Sequence, residues 1–250
     1  MTAVAPTPSC MAGLRALWQE AFGDSDAFLD TFFAAAFAPE RCLCILDGGI
    51  PVAALYWFDC LCDGQTVAYI YAVATAGSHR GRGLCRALME QTHTTLSARG
   101  YAGALLVPGD AGLSAMYSRM GYAFATGVTA FSVTASDGSA PLTPLTPAAY
   151  AACRRALLPP HSVVQEGENL AFLSAQAALY GGDGWVSAVR RDDGRAVGLE
   201  WLGDKQAAPN VVSALGCTDG TFRTCGDTPF AMWHALSAAR PPAYFAFAFD

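Results

Sequence analysis

The chain has 250 residues, of which 53% are hydrophobic and 14% charged, and its formal net charge at pH 7 is -6. This length allows one large or two small domains with a sizeable core, and the hydrophobic content excludes a disordered protein. The acidic balance argues against general nucleic-acid binding, and no stretch is apolar over the roughly 18 residues that a membrane helix needs.

Targeting signals and disulfide patterns are also missing from the sequence. The first residues, Met1-Thr-Ala-Val-Ala-Pro6, place no basic region before an apolar core, so we predict a cytoplasmic protein without membrane contact. The nine cysteines are an odd number scattered in apolar segments, unlike a disulfide framework. We interpret the pairs Cys42/Cys44 and Cys60/Cys62 as reduced core residues and predict no metal site, with zinc as a minor alternative because C-x-x-C spacing is absent.

Two helices are predicted first along the chain. One spans residues 9–22, with Ser9 as its N-cap and Gly23 after its end, and Ser25 caps the next. The second helix carries a wide apolar stripe that we expect to pack mainly on a sheet, formed by Phe28, Leu29, Phe32, Phe33, Ala36 and Phe37.

Strands follow these helices. Residues 41–47 and 50–61 form a predicted hairpin around the turn Asp47-Gly48-Gly49. The next strand, Thr66–Thr75, is apolar on both alternating faces, which is typical of a central strand covered above and below.

A turn rich in glycine and arginine, Ser78–Arg86, follows the central strand and precedes a helix. Glycines let a backbone approach an anion, and the first helical turn offers unpaired N–H groups. No acidic residue lies between Asp63 and Glu90, so the sequence leaves Arg80, Arg82 and Arg86 uncompensated. The turn is therefore a predicted phosphate site, although it matches neither G-x-G-x-x-G nor the P-loop pattern.

The order after this turn is helix, strand, helix. The first helix extends from Leu84 to about Arg99 before Gly100, and residues 103–107 form a short strand. The segment Asp110–Tyr122 contains a second predicted helix, which ends at Gly121.

Two motifs in this region, taken together, resemble those of the GCN5-related N-acetyltransferase (GNAT) family. The family loop reads (Q/R)-x-x-G-x-(G/A), and here it is Arg80-Gly81-Arg82-Gly83-Leu84-Cys85. A later family helix often reads N-x-x-A-x-x-L-Y-x-x-x-G-F, and here it is Asp110-x-x-Leu113-x-x-Met116-Tyr117-x-x-x-Gly121-Tyr122. Cysteine at position 85 replaces a glycine or alanine, and Asp110 replaces the usual asparagine. The resemblance covers residues 9–135.

This resemblance implies an α+β GNAT fold, in which helices flank a mixed, mostly antiparallel central sheet, and it implies acetyl-CoA as cosubstrate. The residues from Arg80 to Cys85 would bind its diphosphate, and Asp110 would help to hold its arm. Backbone N–H groups of Val73, Ala74 and Thr75 would polarise the thioester carbonyl, and the first two helices would form one wall of the acceptor groove. Tyr117 would protonate the departing thiolate, since a phenol with a pKa of about 10 carries its proton at neutral pH.

The general base has no clear sequence signal. Asp59 and Asp63 are candidates, and some tandem members of the family use their own C-terminal carboxylate, here that of Asp250. Cys85 is expected to have a lowered pKa beside the arginines at a helix N-terminus, which would favour an acyl carrier. Its motif position faces the diphosphate instead, so the resemblance favours direct transfer. Of the histidines, His79 is a candidate phosphate contact.

The second half of the chain partly repeats the first. Residues 136–147 form a predicted linker between a domain at 1–135 and a reduced, GNAT-like domain at 148–250. We predict helices at 147–158, 168–180 and 209–215, a hairpin from Trp185 to Leu202, and strands at 221–225, 229–236 and 243–249. The segment Gly203–Pro209 stands where the anion loop would be, but it lacks the glycine pair and the arginines. We therefore expect one cosubstrate site, in the first half.

Together these features predict an N-acetyltransferase that moves an acetyl group from acetyl-CoA to a primary amine, with a small-molecule acceptor as partner. A non-catalytic acyl-CoA-binding or regulatory module is the alternative. No nucleic acid is predicted as a partner, and the protein would be a monomer or a homodimer.

Overall fold

The computed structural model describes residues 1–137 and 142–249. Up to residue 124 the chain forms, in order, β1 (Ala3–Val4), α1 (Met11–Phe22), α2 (Asp26–Ala35), β2 (Cys42–Asp47), β3 (Ile50–Cys62), β4 (Gln65–Thr75), α3 (Leu84–Ala98), β5 (Gly103–Leu106), α4 (Ala111–Ser118) and β6 (Ala123–Phe124). The remaining elements are β7 (Gly127–Thr134), α5 (Pro147–Leu157), α6 (Glu168–Ser174), β8 (Ala178–Gly182), β9 (Trp185–Asp192), β10 (Arg195–Gly203), α7 (Ala208–Ala214), β11 (Asp219–Cys225), β12 (Thr228–Pro229) and β13 (Met232–Ala235). Both halves mix helices with strands, as the α+β prediction requires.

These elements build two sheets. The first has the order β1-β2-β3-β4-β5-β13-β6, and the second has the order β12-β7-β11-β10-β9-β8. In each sheet the pairings given by register are antiparallel except one: β4 pairs in parallel with β5, and β10 in parallel with β11. The predicted fold class, mostly antiparallel sheets flanked by helices, is confirmed.

Two compact units result, and neither is a continuous piece of chain. The first unit comprises Met1–Ala123 and Trp233–Pro241, and the second comprises Phe124–Met232 with 242–249. The predicted domain at 1–135 therefore differs from the observed units, because β7 pairs with β11 in the second sheet from Thr134↔Asp219 to Val128↔Cys225. Part of the predicted linker, residues 138–141, lies outside the described residues.

Local signals determine several boundaries as expected. Gly23 ends α1 in a left-handed conformation, with φ 74° and its N–H bonded to the Gln19 carbonyl. Ser25 caps α2 by accepting a hydrogen bond from the Phe28 N–H at 3.2 Å. The turn between β2 and β3 uses Gly48 and Gly49, both with positive φ, as a two-residue hairpin requires.

Other boundaries differ from the prediction. Ser9 does not cap α1, because a 3-10 turn at Pro8–Cys10 precedes that helix. The helix predicted at 168–180 ends at Ser174, and Ala178–Gly182 forms β8 along β9. The predicted last strand, 243–249, is a buried irregular segment in which only Tyr244 forms a bridge, to Ser162.

Each unit has its own core. In the first, α1 and α2 pack aromatic residues on the sheet, and Trp18 and Phe32 are both almost fully buried. In the second, Trp185 and Trp201 stack with ring centroids 4.9 Å apart, next to Phe222. Among the helices of residues 1–137 and 142–249, none combines the length and apolar character of a membrane span.

Candidate functional site

The last third of β4 is the point where the first sheet opens. β5 pairs with β4 only from Val67↔Gly103 to Tyr69↔Leu105, whereas β3 accompanies β4 as far as Thr75. The β3–β4 register shifts next to Tyr71, and there Ala72 has a φ of 49°. A residue other than glycine is strained in this left-handed conformation, and such strain concentrates at functional sites.

The predicted carbonyl-binding residues lie on this open edge. Val73, Ala74 and Thr75 follow the distorted Ala72 directly, and the register with β5 has already ended within the described chain. Their backbone thus borders the gap between β4 and β5, where an extended ligand could lie between the two strands. The structure therefore brings these three residues next to the predicted phosphate turn.

The turn itself combines a 3-10 turn at Gly77–His79 with two left-handed glycines. Gly81 and Gly83 have φ values of 72° and 76°, and a Cβ built on either would meet no atom within 4 Å. Both positions therefore require glycine because of their backbone conformation and not because of crowding. In the described residues the amides of 81–86 have no hydrogen-bond acceptor, so they are available to an anion at the start of α3.

The arginines of the turn hold its carbonyl groups and carry its positive charge. The Arg80 Nε donates to the Thr75 carbonyl at 3.2 Å, and the Arg82 Nη2 donates to the Ser78 carbonyl at 2.8 Å. In the described chain neither guanidinium forms an ion pair. Arg86 is not uncompensated as predicted, because its Nη1 lies 3.9 Å from the Glu90 carboxylate, although this exposed i,i+4 pair is weak.

His79 is already engaged at both ring nitrogens. Its Nε2 lies 3.1 Å from the Asp47 carboxylate and its Nδ1 lies 2.8 Å from the Ser78 hydroxyl. These partners fix the ring against the β2–β3 turn. The geometry therefore does not support the predicted phosphate contact of His79.

Leu84 and Cys85 begin α3. Leu84 is buried, and Cys85 is half-buried. The prediction of a lowered pKa at Cys85 is wrong: burial raises the pKa of its thiol, and Arg86 offsets this only in part. Desolvation of the thiolate thus outweighs the helix N-terminus, which leaves Cys85 a poor nucleophile.

Tyr117 lies on α4 with its side chain only 6% exposed. Burial raises the pKa of Tyr117 well above its usual value near 10, and the neighbouring Cys85 raises it further, so the phenol keeps its proton throughout the neutral range. In the described chain its hydroxyl has no hydrogen-bond partner. The phenol is thus buried and protonated, and its ring packs edge-on against Tyr122 with centroids 5.9 Å apart.

Asp110 has a structural role that explains its residue type. Its Oδ1 accepts a hydrogen bond from the Leu113 N–H at 2.7 Å and so caps α4. Aspartate and asparagine are equally good N-caps, so the departure from the family motif preserves the helix that carries Tyr117.

The two carboxylates considered as general bases, Asp59 and Asp63, lie far along the sheet from the open edge at Ala72. Asp59 pairs with Ala68, roughly 13 Å along the strand from Ala72, and its Oδ1 accepts a 2.5 Å hydrogen bond from Tyr101. Asp63 lies farther still, in the β3–β4 turn, 3.9 Å from Arg240. The carboxylate of Asp250 lies outside the described residues.

Sequence reasoning missed one part of this region, the aromatic face beside the open edge. Tyr71 directly precedes Ala72, and its ring centroid lies 5.6 Å from that of Trp18 on α1. The apolar stripe on α2 predicted the packing but not this partner, since Trp18 and Tyr71 are far apart in the chain.

Comparisons with known proteins agree with this architecture. Residues 5–125 match the family model described as an acetyltransferase (GNAT) domain. No curated protein matches the chain.

Solved structures extend the likeness to almost the whole chain. A GCN5-related N-acetyltransferase from Kribbella flavida is 18% identical with a TM-score of 0.72, over 94% of this chain and 72% of that one. A GCN5-related N-acetyltransferase from Anabaena variabilis ATCC 29413 is 14% identical with a TM-score of 0.72, over 94% and 73%. Eis1 from Mycobacterium abscessus is 14% identical with a TM-score of 0.65, over 94% and 74%. At these identities the structural likeness establishes the fold.

Proposed function

Residues 5–125 of this chain are a domain of the GNAT acetyltransferase family, which uses acetyl-CoA, and from this premise we propose that the protein acetylates the primary amine of a small molecule by direct transfer. Its class as an acyltransferase follows from the family. The acceptor, the direct route and the roles of individual residues are the proposal.

One observation carries the proposal: the amides of residues 81–86 lie without acceptors beside two arginines that form no ion pair in the described chain. Helix N-terminal amides and guanidinium groups are the donors that diphosphates prefer. The turn follows directly on the open edge of β4, so a ligand held there by its phosphates could extend its thioester arm along Val73–Thr75.

Two steps of the transfer are assigned to groups of this chain. Backbone N–H groups of Val73–Thr75 stabilise the negative charge that develops on the carbonyl oxygen when the amine nitrogen attacks the thioester carbon. The C–S bond then breaks, and Tyr117 gives its proton to the sulfur. The surplus proton of the amine leaves to solvent or to a base.

Direct transfer is preferred to an acyl-enzyme because the raised pKa of Cys85 suppresses its thiolate. Cys85→Ala should keep the wild-type rate within about 2-fold, since the family motif has glycine or alanine there. Intact protein incubated with acetyl-CoA alone should gain no 42 Da adduct at Cys85. Such an adduct, together with an inactive Cys85→Ala protein, would refute the direct route.

The phosphate turn is tested by a matched pair of glycine variants. Gly81→Ala and Gly64→Ala each place a Cβ on a residue with left-handed φ and open space around it. Each should lower the free energy of unfolding by about 1 kcal/mol. Only Gly81→Ala should weaken CoA binding in calorimetry, by about 5-fold or more, because Gly64 lies in the distant β3–β4 turn. Equal CoA affinities for the two variants would contradict the assigned site.

Turnover is best followed by product mass or by loss of thioester absorbance. Thiol reagents would also label the exposed Cys153 and Cys225 of the protein itself. A protein that binds CoA but transfers no acetyl group to any amine would refute the proposed acceptor chemistry.

We also propose that the second half is a degenerate copy of the first. In the first unit α1 and α2 precede the meander β2-β3-β4, and α3 leads to the parallel β5. In the second, α5 and α6 precede β8-β9-β10, and α7 leads to the parallel β11. The turn before α7 lacks the glycine pair, so binding of a single CoA per chain is expected in calorimetry.

A further inference from the structure

The phosphate turn leaves the sheet just beyond the end of β4. The Ala76 N–H still donates to the Val52 carbonyl of β3 at 2.9 Å. In the part of the chain that the structure describes, residues 77–82 form no backbone hydrogen bond to another strand or helix. Side-chain contacts or packing must therefore hold the turn in place.

Packing between the turn and α1 is open. A groove separates them, lined by Gly13, Ala16 and Leu17 of α1 and by Ala76 and Ser78 on the side of the turn. Close packing fixes neighbouring elements only where side chains fill the space between them. Apolar contacts therefore do not fix the turn against α1.

Two carboxylates from other elements contact the turn instead. Glu20, in the last turn of α1, accepts a hydrogen bond from the Gly77 N–H at 2.7 Å. Asp47, at the end of β2, has its Oδ2 3.1 Å from the Nε2 of His79, and the ring Nδ1 lies 2.8 Å from the Ser78 hydroxyl. A carboxylate only accepts, so the hydrogen of this contact is on Nε2. All three residues of the 3-10 turn are thus linked to α1 or to β2.

The arginines that follow depend on these three residues. The Arg82 guanidinium donates to the Ser78 carbonyl at 2.8 Å. The backbone N–H of Arg80 bonds to the Gly77 carbonyl at 3.4 Å. A displacement of the 3-10 turn would therefore move both arginines and the free amides that follow them.

We propose that Glu20 and Asp47 are positioning residues for coenzyme A, an inference that rests on the proposed function. They hold the 3-10 turn so that the arginines and free amides of residues 80–86 keep the arrangement that binds the diphosphate. Neither carboxylate would touch the ligand, because each is already bonded to a donor of the turn. Their negative charge by itself repels a diphosphate, so positioning and charge predict effects of opposite sign on affinity.

Two substitutions of Glu20 separate position from charge. Glu20→Gln and Glu20→Ala both remove the charge, but only glutamine keeps an oxygen that can accept from the Gly77 N–H. We expect Glu20→Ala to weaken CoA binding in calorimetry, and to raise KM for acetyl-CoA, by about 3- to 5-fold with kcat unchanged. Glu20→Gln should bind CoA at least as tightly as the wild type.

Asp47 provides an independent test of the same kind. Asp47→Ala should weaken CoA binding by a similar factor, whereas Asp47→Asn keeps an acceptor for the His79 Nε2–H and should restore the affinity. Both carboxylates are exposed, so the variants are expected to fold, and melting temperatures check this. If one alanine variant fails to fold, the other decides.

Asp30→Ala is the matched control. It also removes an exposed carboxylate, but Asp30 lies on α2, where it pairs with Arg15 at 2.8 Å and does not contact the turn. CoA affinity should not change in this variant.

The outcomes separate this inference from the proposed function. Unchanged or tighter CoA binding in both Glu20→Ala and Asp47→Ala would overturn the positioning role while the transferase proposal stands. A loss in Glu20→Gln as large as that in Glu20→Ala, or an equal loss in Asp30→Ala, would overturn it as well. A wild-type protein that binds no CoA would overturn the proposed function itself.

Discussion

At the scale of single residues, burial has more influence on the chemistry than sequence neighbours do. Cys85 and Tyr117 are adjacent groups, and desolvation raises the pKa of both. The arginines beside Cys85 in the sequence predicted the opposite shift. The same burial keeps the Tyr117 phenol protonated at neutral pH, as the role proposed for it requires.

Removing the Tyr117 hydroxyl should isolate its proposed role. Tyr117→Phe is expected to lower kcat by about 10²-fold or more, with little change in CoA affinity or melting temperature, because no described group hydrogen-bonds this hydroxyl. Since burial raises the pKa of Tyr117 above 10, deprotonation of this phenol should not lower the wild-type kcat below pH 10. Steady-state rates and calorimetry check both points.

Tyr101→Phe is the matched control for this prediction. Tyr101 is also partly buried, but its hydroxyl bonds to Asp59 at the far end of β3. This variant should keep kcat. If Tyr101→Phe lowered kcat as strongly as Tyr117→Phe, the loss would be structural.

At the scale of elements, local signals predicted most helices and hairpins, and long-range contacts decided the rest. Ser25 and the Gly48-Gly49 turn act on their immediate neighbours, so α2 and the β2–β3 hairpin were predictable. β8 was not, because its residues extend only through pairing with β9. The glycine turn was likewise readable in the sequence, whereas the hydrogen bond that occupies Asp59 depends on the distant Tyr101.

A contact between α3, Tyr122 and β13 predicts a pH dependence of stability. His93 on α3 hydrogen-bonds the Tyr122 hydroxyl at 2.8 Å and stacks on His234 at 4.1 Å. Burial, then His234, lowers the pKa of His93 from 6.5 to about 4. The unfolded chain thus binds the proton first, so this contribution to stability is complete above pH 6.5 and is lost as the pH falls toward 4.

The histidine can be tested by melting curves between pH 8 and pH 5. The melting temperature of the wild type should fall more steeply across this range than that of His93→Gln, which cannot titrate. Carboxylates affect both proteins alike, so only the difference is diagnostic. Parallel curves would show that His93 does not titrate in this way.

In the second unit, α5 is attached to β10 by a buried ion pair. The Arg154 guanidinium donates to both Glu200 oxygens, at 2.6 and 2.9 Å, and Tyr244 donates to the same carboxylate at 3.1 Å. Both members of the pair are almost fully buried. Glu200→Gln should therefore destabilise the protein by about 3 to 5 kcal/mol, because it leaves the arginine charge buried and unpaired.

An exposed pair in the same unit provides the comparison. Arg195 pairs with Asp219 at the surface, and Asp219→Asn should cost about 1 kcal/mol or less in chemical denaturation. Similar decreases in the free energy of unfolding of the two variants would mean that burial does not determine how much the Arg154–Glu200 pair stabilises the protein.

At the scale of the whole molecule, the return of the chain after the second unit could not be read from the sequence. The first sheet needs β13, which lies between β5 and β6 and follows β5 by more than a hundred residues. The Trp233 ring occupies the space above Gly103, where a Cβ would come within 2.1 Å of it, and the Leu236 N–H bonds to the Ala102 carbonyl at 3.0 Å. Neither contact has a local signal, so the sequence favoured a boundary near 135.

This return predicts the behaviour of a fragment cut at the expected boundary. Residues 1–135 contain the phosphate turn, Tyr117 and every other residue assigned to the site, but they lack β13 and with it the strand that covers the outer edge of β5. An unpaired β5 edge exposes backbone N–H and C=O groups and the cavity left by Trp233, and β7 is left without β11. The fragment should therefore unfold without a cooperative transition and should not bind CoA. The full chain should unfold cooperatively and bind CoA, and circular dichroism and calorimetry measure the two properties. A fragment 1–135 that melts cooperatively and binds CoA with the affinity of the full chain would show that the first sheet is complete without its distant strand.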